Sequence, residues 1–184
     1  MAANPPKDDP SVELMLRLRD GHEAAFDQIV ERWQSSLINF FYRSLKSYEQ
    51  SEDLTQMVFV RLYRAAPKYE PRAKFSTYLF QIARRLLINE YRRSQAKPLD
   101  SWDPADLQAI SSDREERRYS EIEEAFEQVL HKLPEKQRTA ILLLKQQELS
   151  YQEIAKVMEA NESAVKTWIF RARQFLKQEL KDLV

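Results

Sequence analysis

The stretch that decides the fold is SYQEIAKVMEANESAVKTWIFRAR, residues 150–173. It opens on a capping-box pattern, in which Ser150 caps a helix and Glu153 stands three residues later. The apolar spacing that follows predicts a short helix, a turn and a longer helix over residues 163–180. A short helix, a tight turn and a longer helix together predict a helix-turn-helix.

The longer helix is predicted to have one apolar stripe and one cationic face. Val165, Ile169 and Ala172 are spaced by four and three residues, so they are predicted to face the domain core. The opposite face combines cations suited to phosphates with polar side chains and an aromatic ring suited to base edges. Its candidate DNA-binding residues are Ser163, Lys166, Thr167, Phe170, Arg171 and Arg173. The alternative interpretation is a basic, solvated helix face.

Composition favours an all-α fold of two small domains. The chain has 184 residues and a single glycine, Gly21, so turn-rich sheets lack the residue that best adopts a positive φ. There is no cysteine, which excludes disulfides and thiolate metal sites. No apolar run reaches the roughly 20 residues of a membrane span, and the polar start predicts a cytoplasmic protein without membrane insertion.

Helical periodicity and proline positions divide the chain. About four helices are predicted before residue 97: a short and a longer helix within 12–45, a helix from Glu49 to Ala66 that stops at Pro67, and a helix from Phe75 to Ser94. The predicted organisation is a disordered N-terminus (1–11), a helical domain (12–97), a flexible acidic linker (98–118) and a helix-turn-helix domain (119–184).

The charges are segregated, although 29 basic residues balance 29 acidic ones. Residues 72–97 contain seven bases and one acid, whereas residues 100–127 contain ten acids and three bases. In the basic block, aromatic residues such as Phe75 and Tyr78 alternate with the cations. Bases of single-stranded nucleic acid stack on such rings while cations follow the backbone. Core packing is the competing interpretation for Phe80 and Tyr91, and Tyr69 is the aromatic least expected in a core.

Three segments in register resemble extracytoplasmic-function sigma factors of the sigma-70 family. They are DLTQMVF at 53–59, KFSTYLFQIA at 74–83, and the segment from Leu133-Pro134 through LSYQEIA to Arg171-Ala172-Arg173. The resemblance covers residues 12–180 in the family's order. The chain departs from the family's usual pattern at Met57, Pro71, Ser163 and Trp168.

The resemblance implies a promoter-specificity subunit of bacterial RNA polymerase that does no chemistry itself and needs no cofactor. Its expected partners are core RNA polymerase, through the clamp coiled coil of the largest subunit and the flap, promoter DNA, and an anti-sigma factor. The implied core-polymerase contacts are Asp53, Leu54, Gln56 and Phe59. The implied −10 contacts are Tyr69, Arg72, Lys74, Thr77, Tyr78, Arg84, Arg85, Asn89 and Arg92. The −35 contacts are the six residues of the last helix given above.

Two other functions compete with that of a promoter-specificity subunit. A helix-turn-helix regulator acting without polymerase explains the C-terminal half equally well, but it leaves Asp53, Gln56 and the aromatic and basic helix without a role. An enzyme is disfavoured because the only histidines, His22 and His131, are far apart in sequence and no glycine-rich phosphate loop is present.

Overall fold

A computed structural model describes residues 9–96 and 114–181, which form eight α-helices and no strand. The helices are α1 (Pro10–Arg19), α2 (Ala24–Leu45), α3 (Tyr48–Ala65), α4 (Phe75–Ala96), α5 (Arg114–Lys132), α6 (Glu135–Gln146), α7 (Tyr151–Met158) and α8 (Glu162–Glu179), with a 3₁₀ turn at Ala66–Lys68. The all-α prediction is confirmed. None of the described helices is long and apolar enough to cross a membrane.

Local signals set most helix ends. Ser47 accepts a hydrogen bond from Gln50 N at the start of α3, and Pro67 lies in the 3₁₀ turn that follows its last residue. The capping box of α7 is complete: Ser150 Oγ accepts from Glu153 N, and Glu153 Oε2 accepts from Ser150 N. The helix-turn-helix pattern was therefore correctly predicted as local structure.

Two helix starts differ from the sequence prediction. Helix α1 begins at Pro10, so the N-terminal boundary at residue 12 is late, because Asp9 caps this helix. Helix α5 begins at Arg114, inside the segment predicted as linker to residue 118. A run of charged residues is compatible with both a tether and a helix, and periodicity does not separate them. The rest of the predicted linker lies outside the described residues.

Helices α1–α4 form the first bundle around a cluster of aromatic rings. Phe40, Phe75 and Phe80 are fully buried, and the rings of Phe40 and Phe80 lie 5.3 Å apart between centroids in an edge-to-face contact. The ring centroids of Trp33 and Phe75 lie 5.7 Å apart, and the indole N–H of Trp33 donates a hydrogen bond to Ser11 Oγ at 3.1 Å. The core therefore holds the start of α4 against α1 and α2.

Helices α5–α8 form the second bundle, and its core includes the predicted stripe of α8. Val165, Ile169 and Ala172 are buried against α6 and α7, as expected. Trp168 is half-buried, and the ammonium of Lys136 on α6 lies 5.7 Å from its ring centroid. The two bundles contact each other mainly where α4 packs on α7.

Asp9 joins the N-termini of two helices. Its Oδ1 accepts from Ser11 N in α1 and its Oδ2 accepts from Phe75 N in α4, each at 3.0 Å. Both helix ends thus share one carboxylate, which satisfies a free N–H and faces the positive end of each helix dipole.

We expect Asp9→Ala to lower the free energy of unfolding by about 2 kcal/mol, because two caps are lost at about 1 kcal/mol each. Asp9→Asn should lose about half of that, since an amide offers one oxygen and can cap one helix. Urea unfolding measures both, with Glu31→Ala, an exposed change in α2, as the control. Equal losses for the Asn and Ala variants would show that the carboxylate does not cap both helices.

Candidate nucleic-acid interface

The first candidate surface is the outer face of α8, here called the α8 face: Ser163, Lys166, Thr167, Phe170, Arg171 and Arg173. All six side chains are exposed, and Phe170 is 62% exposed, which is unusual for a large aromatic ring. Asn161 Oδ1 accepts from Ala164 N at 2.7 Å and so fixes the start of the helix. The structure therefore places the predicted α8 residues together on one accessible surface.

Charges on the α8 face are only partly compensated within the chain. Glu162 pairs with Lys166 at 2.8 Å, and this carboxylate raises the pKa of the Lys166 ammonium. Arg171 and Arg173 form no ion pair with any described residue. Two guanidinium groups beside an exposed ring are suited to phosphates and base edges.

The second candidate surface is the α4 face, defined as Lys74, Tyr78, Gln81, Arg85, Asn89 and Arg92. These positions are three or four residues apart and therefore lie along one side of the helix. Arg85, Asn89 and Arg92 are exposed, whereas the predicted contact Arg84 is half-buried. The cationic and aromatic mixture predicted for this helix is thus present on one side of it.

A cavity of about 520 Å³ lies at the N-terminal end of the α4 face. It is lined by Lys68, Tyr69, Glu70, Arg72, Ala73, Tyr78, Gln81 and Lys156. The rings of Tyr69 and Tyr78 are 5.3 Å apart between centroids. Three cations, Lys68, Arg72 and Lys156, also line the cavity, and Arg72 is paired with the Glu70 carboxylate at 2.6 Å. Such a cavity offers flat apolar surfaces for a base and charges for its phosphate.

Two predicted contacts occupy different positions from those expected. Tyr69 is only 5% exposed and belongs to the core, so the expectation that it stands clear of the core was wrong, although it is among the residues that line the cavity. Burial raises the pKa of Tyr69 to about 12, with added effects of Asp9 and Tyr78. Thr77 is fully buried and not on the exposed side of α4, and its contact with DNA stays a prediction. Both residues support the α4 face from beneath.

The third candidate surface is on α3. Asp53 and Gln56 are exposed, while Leu54 and Phe59 are buried at 6% exposure and can only support them from the core. Val60, which was not among the residues predicted for this surface, is 47% exposed beside Met57. Its signal was an apolar residue on the polar side of an amphipathic helix. The result is a mixed polar and apolar surface.

A buried polar network joins the two bundles behind these surfaces. Arg138 on α6 is 8% exposed and donates to the Tyr91 hydroxyl at 2.9 Å and to the His131 carbonyl at 3.2 Å. Tyr91 in turn donates to Ser44 O at 3.1 Å. No described carboxylate pairs with Arg138. The guanidinium is therefore held by neutral oxygens and by the Tyr91 ring.

His131 is kept neutral by this network. Burial lowers the pKa of its imidazole to about 4, with further lowering by the charges of Arg138 and Lys46. Its Nδ1 lies 3.3 Å from Arg138 Nη1, so an unprotonated nitrogen can accept there. Protonation would set two cations against each other.

Comparisons with known proteins identify two regions of the sigma-70 family in this chain. A family model for sigma-70 region 2 matches residues 29–97, and a model for sigma-70 region 4 matches residues 123–176. The RNA polymerase sigma-H factor of Pseudomonas aeruginosa is 30% identical over 94% of each chain. The ECF RNA polymerase sigma factor SigW of Bacillus subtilis is 29% identical over 94% of this chain and its own full length.

Two solved structures share the fold. A structure of CnrH in complex with the cytosolic domain of CnrY has a TM-score of 0.71 and 24% identity, covering 95% of this chain and 99% of the other. The sigma factor RpoE of Bartonella quintana, in complex with the anti-sigma factor NepR, has a TM-score of 0.67 and 23% identity, covering 85% and 96%.

The chain belongs to the extracytoplasmic-function sigma factors of the sigma-70 family. It is accordingly a promoter-recognition subunit of bacterial RNA polymerase, of a class whose members are non-catalytic. The interpretation as a regulator acting without polymerase is not favoured, because region 2 accounts for the half that this alternative left unexplained.

The pH dependence of stability tests the His131 network. Because the pKa of His131 is lower in the folded chain than the usual 6.5, the unfolded chain binds the proton first as pH falls. Stability present above pH 6.5 should decrease as pH falls towards 4. Solvent screening of a half-buried ring keeps the slope below the one-proton limit of about 1.4 kcal/mol per pH unit.

We expect His131→Gln to reduce this pH dependence and His22→Gln, at an exposed site, to leave it unchanged. Urea unfolding at several pH values between 7 and 4 gives the free energy of unfolding of each protein. Because the variants and the wild type share the same carboxylates, the carboxylate contribution cancels in the difference between them. Parallel profiles for wild type and His131→Gln would contradict the neutral, network-bound imidazole.

Proposed function

We propose that the three surfaces divide promoter recognition among them: the α8 face reads the −35 element, the α4 face with its cavity binds the −10 strand, and α3 binds core polymerase. The observation that carries this proposal is the complete exposure of the α8 face above a fully buried stripe. The exposed ring of Phe170 and the guanidinium groups of Arg171 and Arg173, which pair with no acid in the described part of the chain, contribute nothing to the core of the second bundle.

The −10 assignment rests on the cavity and on the line of cations that leads away from it. Tyr78 offers stacking surface, Lys68 can contact a phosphate, and Arg72 can do so by exchanging its exposed pair with Glu70. An unpaired base entering this cavity has left the duplex stack, which costs a few kcal/mol. The cations Arg85 and Arg92 would offset that cost by following the strand.

The core-polymerase assignment rests on α3. Asp53 and Gln56 supply polar contacts, and the adjacent exposed side chains of Met57 and Val60 supply apolar area. We propose the clamp coiled coil of the largest subunit as the partner of this surface and the flap as a partner of the second bundle. We also propose that an anti-sigma factor binds this chain, that the protein is cytoplasmic and that it has no catalytic role.

Holding both DNA-binding faces on one polymerase raises the effective concentration of each for its own element. Individual contacts can therefore be weak, and binding should fall steeply with salt because phosphate contacts release counterions. A regulator that binds its site without polymerase would not need the α3 surface.

Arg171→Ala should weaken discrimination at one −35 position by about 1–3 kcal/mol, because a bidentate contact to guanine is lost. The measurement is in vitro transcription with reconstituted holoenzyme on templates that carry single-base changes in the −35 element. Arg32→Ala, an exposed change on α2, is the control. An unchanged order of preference among the templates would remove Arg171 from base readout.

Asp53→Ala should raise the Kd for core polymerase roughly 5- to 30-fold, which is about 1–2 kcal/mol, without changing promoter preference. Surface-immobilised core enzyme measures this affinity, and Glu31→Ala supplies a matched loss of one acid on the neighbouring helix. Equal affinities for the two variants would exclude Asp53 as a polymerase contact.

A further inference from the structure

Three polar contacts connect the α4 face with α7. Lys74 Nζ lies 2.9 Å from Glu153 Oε1, Gln81 Nε2 donates to Lys156 O at 3.1 Å, and Arg85 donates to Glu159 Oε1 from Nε at 3.1 Å and Nη2 at 2.8 Å. Lys156 also lines the cavity at the end of this face. Helix α7 therefore covers the part of α4 to which the −10 strand is assigned above.

Glu159 has a backbone conformation that a glutamate adopts only at a cost. It ends α7 with φ 51° and ψ 47°, in the left-handed region where glycine or asparagine is the usual C-terminal residue. Lys46 and Glu148 also have positive φ, but among these three residues only Glu159 forms an ion pair within the described chain. Its carboxylate thus contributes to the contact with α4, whereas a glycine would suit the turn itself better.

Glu153 uses its two carboxylate oxygens for different helices. Oε2 caps α7 by accepting from Ser150 N at 2.8 Å, and Oε1 pairs with Lys74. Burial would raise the pKa of Glu153, but the hydrogen bonds from Lys74 and Ser150 outweigh it and lower the pKa. This acid is therefore charged at neutral pH and directed at a cation of the α4 face.

We propose that α7 is an internal competitor of the −10 strand: Glu153 and Glu159 occupy Lys74 and Arg85 in a closed conformer of the free chain, and nucleic acid must displace them. The inference rests on the proposed function of the α4 face. Carboxylates here take the positions of phosphates, so the two states exclude each other at the same cations.

The closed conformer is built to open. Arg85 and Glu159 remain more than half exposed, and exposed ion pairs are individually weak and are screened by salt. Strand phosphates, which offer several contacts along one backbone, can replace two such pairs. Binding to polymerase would favour the open state further if the two bundles must separate to reach their DNA elements.

The distance between the bundles in the free, full-length chain tests the closed conformer. The chain has no cysteine, so cysteines introduced at the exposed positions Glu52 and Gln174 carry the only spin labels. We expect a single narrow distance distribution at low salt. Glu153→Gln combined with Glu159→Gly should broaden it, and so should high salt in the unchanged chain.

The matched control combines Glu148→Gly with Glu31→Gln and is called the Glu148→Gly control: it also removes two charges, one of them from the same left-handed backbone region, at residues that form no ion pair within the described chain. The charge exchange Arg85→Glu with Glu159→Arg should restore the narrow distribution. If the double variant gives the same distribution as the Glu148→Gly control, the closed conformer is not held by these acids and the proposal fails.

Binding of a fluorescent single-stranded oligonucleotide to the free chain tests the competition. We expect the Glu153→Gln/Glu159→Gly variant to bind about threefold to tenfold more tightly than the Glu148→Gly control, because it loses the exposed Arg85–Glu159 pair and the less exposed Lys74–Glu153 pair. A broadened distance distribution with no gain in affinity would overturn the competition, since opening would then free no binding surface.

Arg92→Ala in the double-variant background separates this inference from the proposed function. Arg92 is exposed on the α4 face and lies outside the contacts with α7. If this change leaves oligonucleotide binding intact, the α4 face is not the DNA site and the proposed function fails there. If Arg92→Ala weakens binding, but the Glu153→Gln/Glu159→Gly variant and the Glu148→Gly control bind the oligonucleotide equally, only the competition fails.

Discussion

Helix α4 must bury one stripe and display cations on the other, and the rest of the structure depends on this division. Phe75, Leu79 and Ala83 are fully buried in the first bundle, so their positions fix the rotation of the helix about its axis. Lys74, Arg85 and Arg92 consequently point outwards. Asp9 anchors the start of the same helix through Phe75 N. The geometry of the α4 face therefore follows from core packing.

The joint between the bundles combines apolar packing with a buried polar network, since the buried apolar side chains of both bundles belong to one cluster. Burying a guanidinium without a carboxylate is costly. Arg138 is accommodated because the Tyr91 hydroxyl and the His131 carbonyl accept hydrogen bonds from it. Arg138 Nε and His131 Nε2 still have no described partner. Each unsatisfied group reduces the stability of the closed arrangement. The polar network therefore restricts the geometry of the joint, while the apolar cluster that continues through it supplies buried area.

The chain has no net charge, but the α8 face and the α4 face differ in how their cations are paired. On the α8 face Arg171 and Arg173 are free within the described chain, and Lys166 is partly neutralised by Glu162. On the α4 face Arg85 faces Glu159 across the bundle contact. One surface is thus open to DNA from the start, whereas the other is partly occupied by the chain's own acids. Net charge alone could not reveal this difference.

The sequence by itself determined the helices, the capping box of α7 and the exposed face of α8, because periodicity, caps and prolines act within a few residues. It did not determine that Tyr69 and Thr77 are buried, since their burial depends on packing against distant helices. Nor did it determine that Gln81 meets Lys156, a contact between residues 75 positions apart. Only the tertiary structure brings such groups together, because no local pattern records which surfaces two helices bury against each other.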